Sequence, residues 1–193
     1  MLATFFTRRY SRQDLWSLFL MCALPLHIWT MILAFRDMSW VADRTNSWDA
    51  LGVFSYALLF ALAESLVVFL VVAALGFLVS AHWDRGGRLA LLTVLVFMLS
   101  LWSIAEQLFF LIGVELPGGF IRLVIESGHP LRTLYVVLIG LVTVTVLVPV
   151  ALVLRSRRAL GFVQAMIDRL SLLTMFYLLF DVLAIVIVLV RNV

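Results

Sequence analysis

The sequence contains no lysine, one cysteine and few charged residues of either sign. All 14 basic residues are arginines, and only 13% of the 193 residues are charged. Soluble domains average about 25% charged residues, so this chain has too few polar side chains to cover a water-soluble globule. The composition excludes a soluble domain and predicts an integral membrane protein.

Signatures of catalysis are also missing. The sequence has no H-E-x-x-H, no G-x-S-x-G and no phosphate-binding G-x-x-x-x-G-K-[ST], and without lysine it cannot form a Schiff base. Cys22 is the single cysteine and lies inside an apolar run, which excludes a disulfide within the chain and a thiolate metal site. We therefore expect a protein that is not an enzyme and that uses no cofactor or metal.

Three aspartates between the first two apolar runs are the nearest approach to a metal site. Asp37, Asp43 and Asp49 are spaced six residues apart, and a metal-dependent lipid phosphotransferase would need such paired acids for Mg²⁺. The wide spacing and the intervening Arg44 argue against a dedicated site.

Long apolar runs make up most of the sequence. Each has at least 21 residues, and about 20 helical residues cross a bilayer core about 30 Å thick. The gaps between runs are at most 18 residues long, too short for a separate soluble domain. We predict an all-α bundle of five transmembrane helices that forms one membrane domain over residues 1–193. The predicted spans are 15–35, 51–81, 89–114, 133–154 and 170–190.

The arginines predict the orientation of the chain. With a cytoplasmic N-terminus, nine arginines fall in inner segments and five in outer segments, so the positive-inside rule favours the N-terminus inside and the C-terminus outside. We interpret the arginines as topology signals and expect no binding to nucleic acid. The first run is too long for a cleaved signal peptide, which predicts a retained anchor.

Two segments between the spans have helical character. Residues 117–130 hold apolar side chains around Arg122 and are bounded by glycine and proline, which predicts a short interfacial helix on the outer face. Residues 155–169 place apolar side chains at helical spacing. That segment is either an amphipathic surface helix or an inward extension of the fifth transmembrane helix.

Three acids lie within the predicted spans: Glu64, Glu106 and Asp181. A charged side chain at the bilayer centre costs about 2.5 to 3.5 kcal/mol on insertion scales, so we expect all three to face protein or water. Counting about 1.5 Å per residue, Asp181 and His27 lie at the same depth. Glu64 and Glu106 lie nearer the outer face and could form a second polar level.

Each acid belongs to a polar or small-residue stripe on its helix. Ala57, Ala61 and Ser65 form a small-residue seam beside Glu64, which we expect to accept another helix. Polar side chains also follow one face of the third span and one face of the fifth. The candidate intramembrane polar site predicted from these stripes consists of Glu64, Glu106, Asp181, His27, Gln107 and Tyr177.

In helix count and charge bias, the chain resembles the five-helix membrane portion of lipoteichoic-acid-synthase-type transferases, whose N-terminus is also cytoplasmic. This resemblance rests on topology, and it implies a stand-alone membrane portion of a lipid-linked transferase system.

Two further functions follow from the residues themselves. The first is a scaffold or accessory subunit of a membrane complex, whose polar stripes pack its own helices and bind a partner. The alternative is a proton-coupled or cation transporter that uses the intramembrane acids and His27. We expect the bilayer and another membrane protein, or further copies of the chain, as partners, and a plasma membrane of the bacterial type as the location.

Overall fold

The computed structural model describes residues 10–79 and 83–193, and these two ranges form six α-helices and no strand. Five of the helices are long and apolar enough to cross a membrane. The predicted all-α bundle is therefore confirmed, and the chain is an integral membrane protein. The helices are α1 Arg12–Arg44, α2 Ser47–Leu75, α3 Arg85–Ile112, α4 Gly118–Glu126, α5 Pro130–Arg155 and α6 Arg157–Asn192.

Short polar side chains begin most of these helices. Ser11 and Asp14 form a reciprocal capping box at α1, in which the Asp14 amide donates to Ser11 Oγ at 3.0 Å and the Ser11 amide donates to Asp14 Oδ2 at 2.7 Å. At α2, α3 and α6 the side chains of Asn46, Asp84 and Ser156 each accept from a backbone amide of the first turn, without the reciprocal bond. These caps satisfy backbone N–H groups that have no partner within a helix, so each helix begins at a defined residue.

Helix α1 lies at the centre of the bundle. All seven residues 18–24 are buried, although they cover every side of the helix. Such all-round burial requires neighbours on all sides, and α1 packs against α2, α3 and α6. Helix α5 lies at the periphery against α3 and α6, with only Val146 and Val153 buried.

Contacts between side chains define the directions of the helices. The Phe19 and Phe69 rings are 5.9 Å apart, and the Phe35 and Phe54 rings are 5.1 Å apart, so α1 and α2 run antiparallel. The C-terminal end of α6 lies beside the first turns of α2, where the Asn192 side-chain amide donates to the Tyr56 hydroxyl. These two helices are therefore antiparallel as well. We call the end that holds residues 45–46 and Asn192 the predicted outer end, after the orientation that the arginines predict.

Both segments between the spans that have helical character are helical in the structure. Residues 157–169 belong to the continuous helix α6, so they extend the fifth transmembrane helix inward. The short helix predicted within 117–130 is present as α4. The first helix continues nine residues beyond its predicted span, to Arg44. Two of the nine arginines counted as inner, Arg8 and Arg9, lie outside the described residues, and so does His82.

Candidate functional site

The interior of the bundle holds a hydrogen-bonded pair of ionisable side chains. His27 of α1 and Asp181 of α6 are joined by a contact of 2.9 Å between Nε2 and Oδ2. His27 is fully buried and Asp181 is 2% exposed. The depths counted from the sequence placed these two residues at one level, and the structure brings them together.

The second nitrogen of the His27 ring fixes the chemistry of this pair. Nδ1 lies 2.9 Å from the carbonyl oxygen of Ala23, which accepts but cannot donate, so Nδ1 carries a proton. Nε2 then either donates to the Asp181 carboxylate as imidazolium or accepts from the neutral acid. In both states the pair holds one proton between Nε2 and Oδ2, and it carries no net charge.

Two further residues of the predicted α6 stripe, Thr174 and Tyr177, share a face of the helix with Asp181 by their spacing. Thr174 is fully buried, and its hydroxyl donates to the Leu170 carbonyl at 2.8 Å within its own helix. Tyr177 is half-buried. The second carboxylate oxygen of Asp181, Oδ1, is buried and has no hydrogen-bond partner in the described ranges. Asp181 is therefore linked to α1 through one of its two carboxylate oxygens.

Glu64 and Glu106 do not face the interior of the bundle, and the prediction that both face protein or water stays a prediction. Both are exposed on the surface of the chain, Glu64 on α2 and Glu106 on α3. The reason is the helix packing: α2 turns Ala61 and Ser65 inward, and α3 turns Leu92 and Val96 inward. The two acids lie beside these buried contacts, at the exposed surface of the chain.

The small-residue seam on α2 is occupied within the bundle itself. Ala61 and Ser65 are 1% and 0% exposed, and Ser65 Oγ donates to the Ala61 carbonyl at 2.6 Å. Helix α2 packs against α1 and α6. At Ala61 and Ser65 the seam is thus packed within this chain, in keeping with the expectation that it accepts another helix.

Gln107 is exposed on α3, yet it is tied to the central helix. The indole Nε1 of Trp29 on α1 donates to Gln107 Oε1. Trp102 of α3 makes a similar bond to α5, with Nε1 donating to Thr145 Oγ1 at 2.8 Å. Two tryptophans that lie within spans therefore supply hydrogen bonds between helices, because an indole N–H has few other acceptors in an apolar setting.

A groove opens between α2 and α3, with α1 at its base. Its volume is about 360 Å³. Pro25 and Trp29 of α1 form part of the base, valines of α2 form one wall, and α3 supplies a wall that contains polar side chains. We call it the α2–α3 groove. Its α3 wall is formed by Leu95, Val96, Leu99, Ser100, Ser103, Ile104 and Gln107.

Several contacts at the helix ends were not anticipated from the sequence. At the predicted outer end, Arg191 of α6 donates to Asp49 Oδ1 at 2.8 Å and also to the Trp48 carbonyl. The guanidinium lies over Gly52, where a β-carbon would be 2.5 Å from it. The sequence carries only a weak signal for this contact, a lone arginine after an apolar run, which by itself indicates only a topology signal.

Tyr10 and Gly76 form a corresponding contact at the other end of the bundle. The Tyr10 hydroxyl donates to the Ala73 carbonyl at 3.2 Å, and its ring packs edge-on against Phe77. A β-carbon on Gly76 would lie 1.5 Å from the Tyr10 oxygen. Glycine at position 76 therefore makes room for the tyrosine.

The aspartates near the predicted outer end serve other contacts. Asp37 pairs with Arg36 at 2.8 Å, and Asp49 binds both Arg191 and Asn46. Within residues 10–79 and 83–193, no three His, Cys, Asp or Glu side chains are placed to share a metal ion.

Comparison of the chain with protein-family models, with curated proteins and with solved structures gives no match.

Proposed function

We propose that this protein is an accessory or scaffold subunit of a membrane complex, and that a membrane-spanning helix of its partner docks in the α2–α3 groove. The observation that carries this proposal is an open groove at bilayer depth whose α3 wall contains Ser100, Ser103 and Gln107. Lipid chains offer no hydrogen bonds to such side chains, whereas another helix does.

The dimensions of the groove suit a helix. Along α3 the wall extends from Leu95 to Gln107, which is about 18 Å at 1.5 Å per residue. That length is about half of the distance that a membrane-spanning helix crosses. The opposite wall consists of branched apolar side chains of α2, including Val67 and Val71, which give a firm packing surface.

Transport through a single copy has less support. A path would bring the three acids together, yet only Asp181 faces the interior, where His27 binds it. Glu64 and Glu106 lie on the outside of the bundle.

The alternative function, a stand-alone membrane portion of a lipid-linked transferase system, is supported only by the predicted topology. The arginine distribution supports a cytoplasmic N-terminus and an external C-terminus as parts of the proposal. A plasma membrane of the bacterial type is the proposed location.

A photo-crosslinking amino acid at Val67 tests the docking proposal in cell membranes. Val136 on α5 is the matched control, because the two valines are 61% and 63% exposed and only Val67 lines the groove. We expect a discrete adduct from position 67, with mass spectrometry assigning the crosslinked peptide to a membrane-spanning segment, and none from position 136. Equal labelling at the two positions, or lipid adducts alone at position 67, contradicts the proposal.

A further inference from the structure

Glu64 lies on the face of α2 that forms the wall of the groove. It precedes Val67, Val68 and Val71 by three, four and seven residues, and all three valines line the groove. Residues with these spacings share one side of a helix. The Glu64 carboxyl therefore continues the α2 wall by one further turn toward the predicted outer end.

Glu106 occupies the rim of the opposite wall. It follows Ser103 by three residues and Leu99 by seven, and both of these line the groove on α3. Its neighbour Gln107 also lines the groove. An acid thus stands on each side of the same groove, and neither acid makes a hydrogen bond or ion pair with any residue in the described ranges.

Both acids lie deep within the apolar part of their helices. Glu64 is 13 residues from Leu51 at the outer boundary of its span, about 20 Å along the axis, and Glu106 is eight residues from Val114, about 12 Å. A carboxyl group at this depth is costly to leave against lipid, and intramembrane acids of this kind pair with other groups. The two acids are separated by about 8 Å along the bundle axis.

The chain itself has no basic group to offer at this depth. All 14 arginines lie outside the five apolar runs of the sequence, there is no lysine, and His27 is fully buried against Asp181. A second copy would bring the same residues and therefore could not neutralise the acids. The complementary charge has to come from a different polypeptide.

We infer that the α2–α3 groove receives a membrane-spanning helix of a different protein that carries an arginine or lysine opposite Glu64. A second polar side chain, four to five residues away on the partner helix, lies opposite Glu106. This inference rests on the proposed docking function and adds the chemistry of the partner.

Model transmembrane peptides test the charge requirement directly. The full chain is reconstituted in phosphatidylcholine vesicles with oligoleucine helices of about 23 residues that carry either one central lysine or leucine at that position. Energy transfer between labels reports association. We expect the lysine peptide to associate about tenfold more tightly, a factor that corresponds to about 1.4 kcal/mol. In the Glu64→Gln variant the two peptides should bind equally.

Glu126→Gln is the matched control, because Glu126 is an exposed acid on α4 outside the groove, and we expect it to retain the tenfold preference. Equal binding of the two peptides to the unmodified chain overturns the inference and leaves helix docking intact, provided that the Val67 crosslink is present. Preferential association of the chain with a second copy through Val67 also overturns it. The loss of both the crosslink and all peptide binding rejects the proposed function together with the inference.

Discussion

Asp181 and His27 meet 154 positions apart in the sequence, through a contact of 2.9 Å in which both side chains are almost completely buried. This contact joins the central helix α1 to the last helix α6. The other ring nitrogen of His27, Nδ1, donates to the Ala23 carbonyl and orients the ring. The pair is therefore a specific polar link between these two helices.

Removing one partner of this link should destabilise the bundle. Asp181→Ala leaves Nε2 of His27 buried without a partner, which we expect to cost about 1 to 3 kcal/mol of unfolding free energy. Asp181→Asn should cost less, because the asparagine amide can donate to Nε2. Unfolding of each variant in mixed micelles, followed by circular dichroism, measures both values. An equal loss in the two variants would show that the hydrogen bond is unimportant.

The contact of Arg191 with α2 should contribute a smaller amount. Its ion pair with Asp49 is partly exposed, so Arg191→Ala should cost about 0.5 to 1 kcal/mol. Gly52→Leu should displace the guanidinium and cost a similar amount, and the double variant should lose less than the sum of the two. Arg36→Ala removes a more exposed pair and serves as the control with almost no effect. A loss of unfolding free energy in the double variant equal to the sum of the two single losses would contradict a contact between Arg191 and Gly52.

Gly76→Ala should disrupt the packing of Tyr10. The added β-carbon would overlap the tyrosine hydroxyl, so Tyr10 must leave the Ala73 carbonyl, and we expect a loss of about 1 to 3 kcal/mol. Gly140→Ala on α5 is the control, because a β-carbon there meets nothing within 4 Å. Melting temperatures in detergent compare the two. In a Tyr10→Ala background, the effect of Gly76→Ala should disappear.

Thr145→Val should loosen α5 from the rest of the bundle. The change keeps the side-chain shape but removes the acceptor for Trp102 Nε1, a bond worth about 0.6 kcal/mol in the membrane. Since α5 has few buried residues, we expect faster proteolysis of a cleavage site placed between α4 and α5, with little change in the overall helix content. Thr143→Val is the control, because Thr143 makes no such contact with Trp102 within the described part of the chain. Unchanged proteolysis in Thr145→Val would contradict this prediction.

The sequence predicted the helices well because length and apolar composition are local properties. It also placed His27 and Asp181 at one depth, because depth follows from counting residues along a helix. It did not show that Glu64 and Glu106 lie on the exposed surface of the chain, since periodicity identifies which residues share a face but not the direction in which that face points. That direction depends on which helices become neighbours. The contact between Arg191 and Gly52 likewise depends on where α6 ends relative to α2, which no local pattern encodes.

The central position of α1 has a consequence for biosynthesis. Helix α1 is made before α2, α3 and α6, which pack around it, and its histidine finds its acid only after α6 has been made. Until then, α1 stays in the bilayer with a polar side chain exposed to lipid or to the insertion machinery. Closure of the bundle therefore waits for the last helix, and chains cut short before Asp181 should remain open and become substrates for membrane proteases.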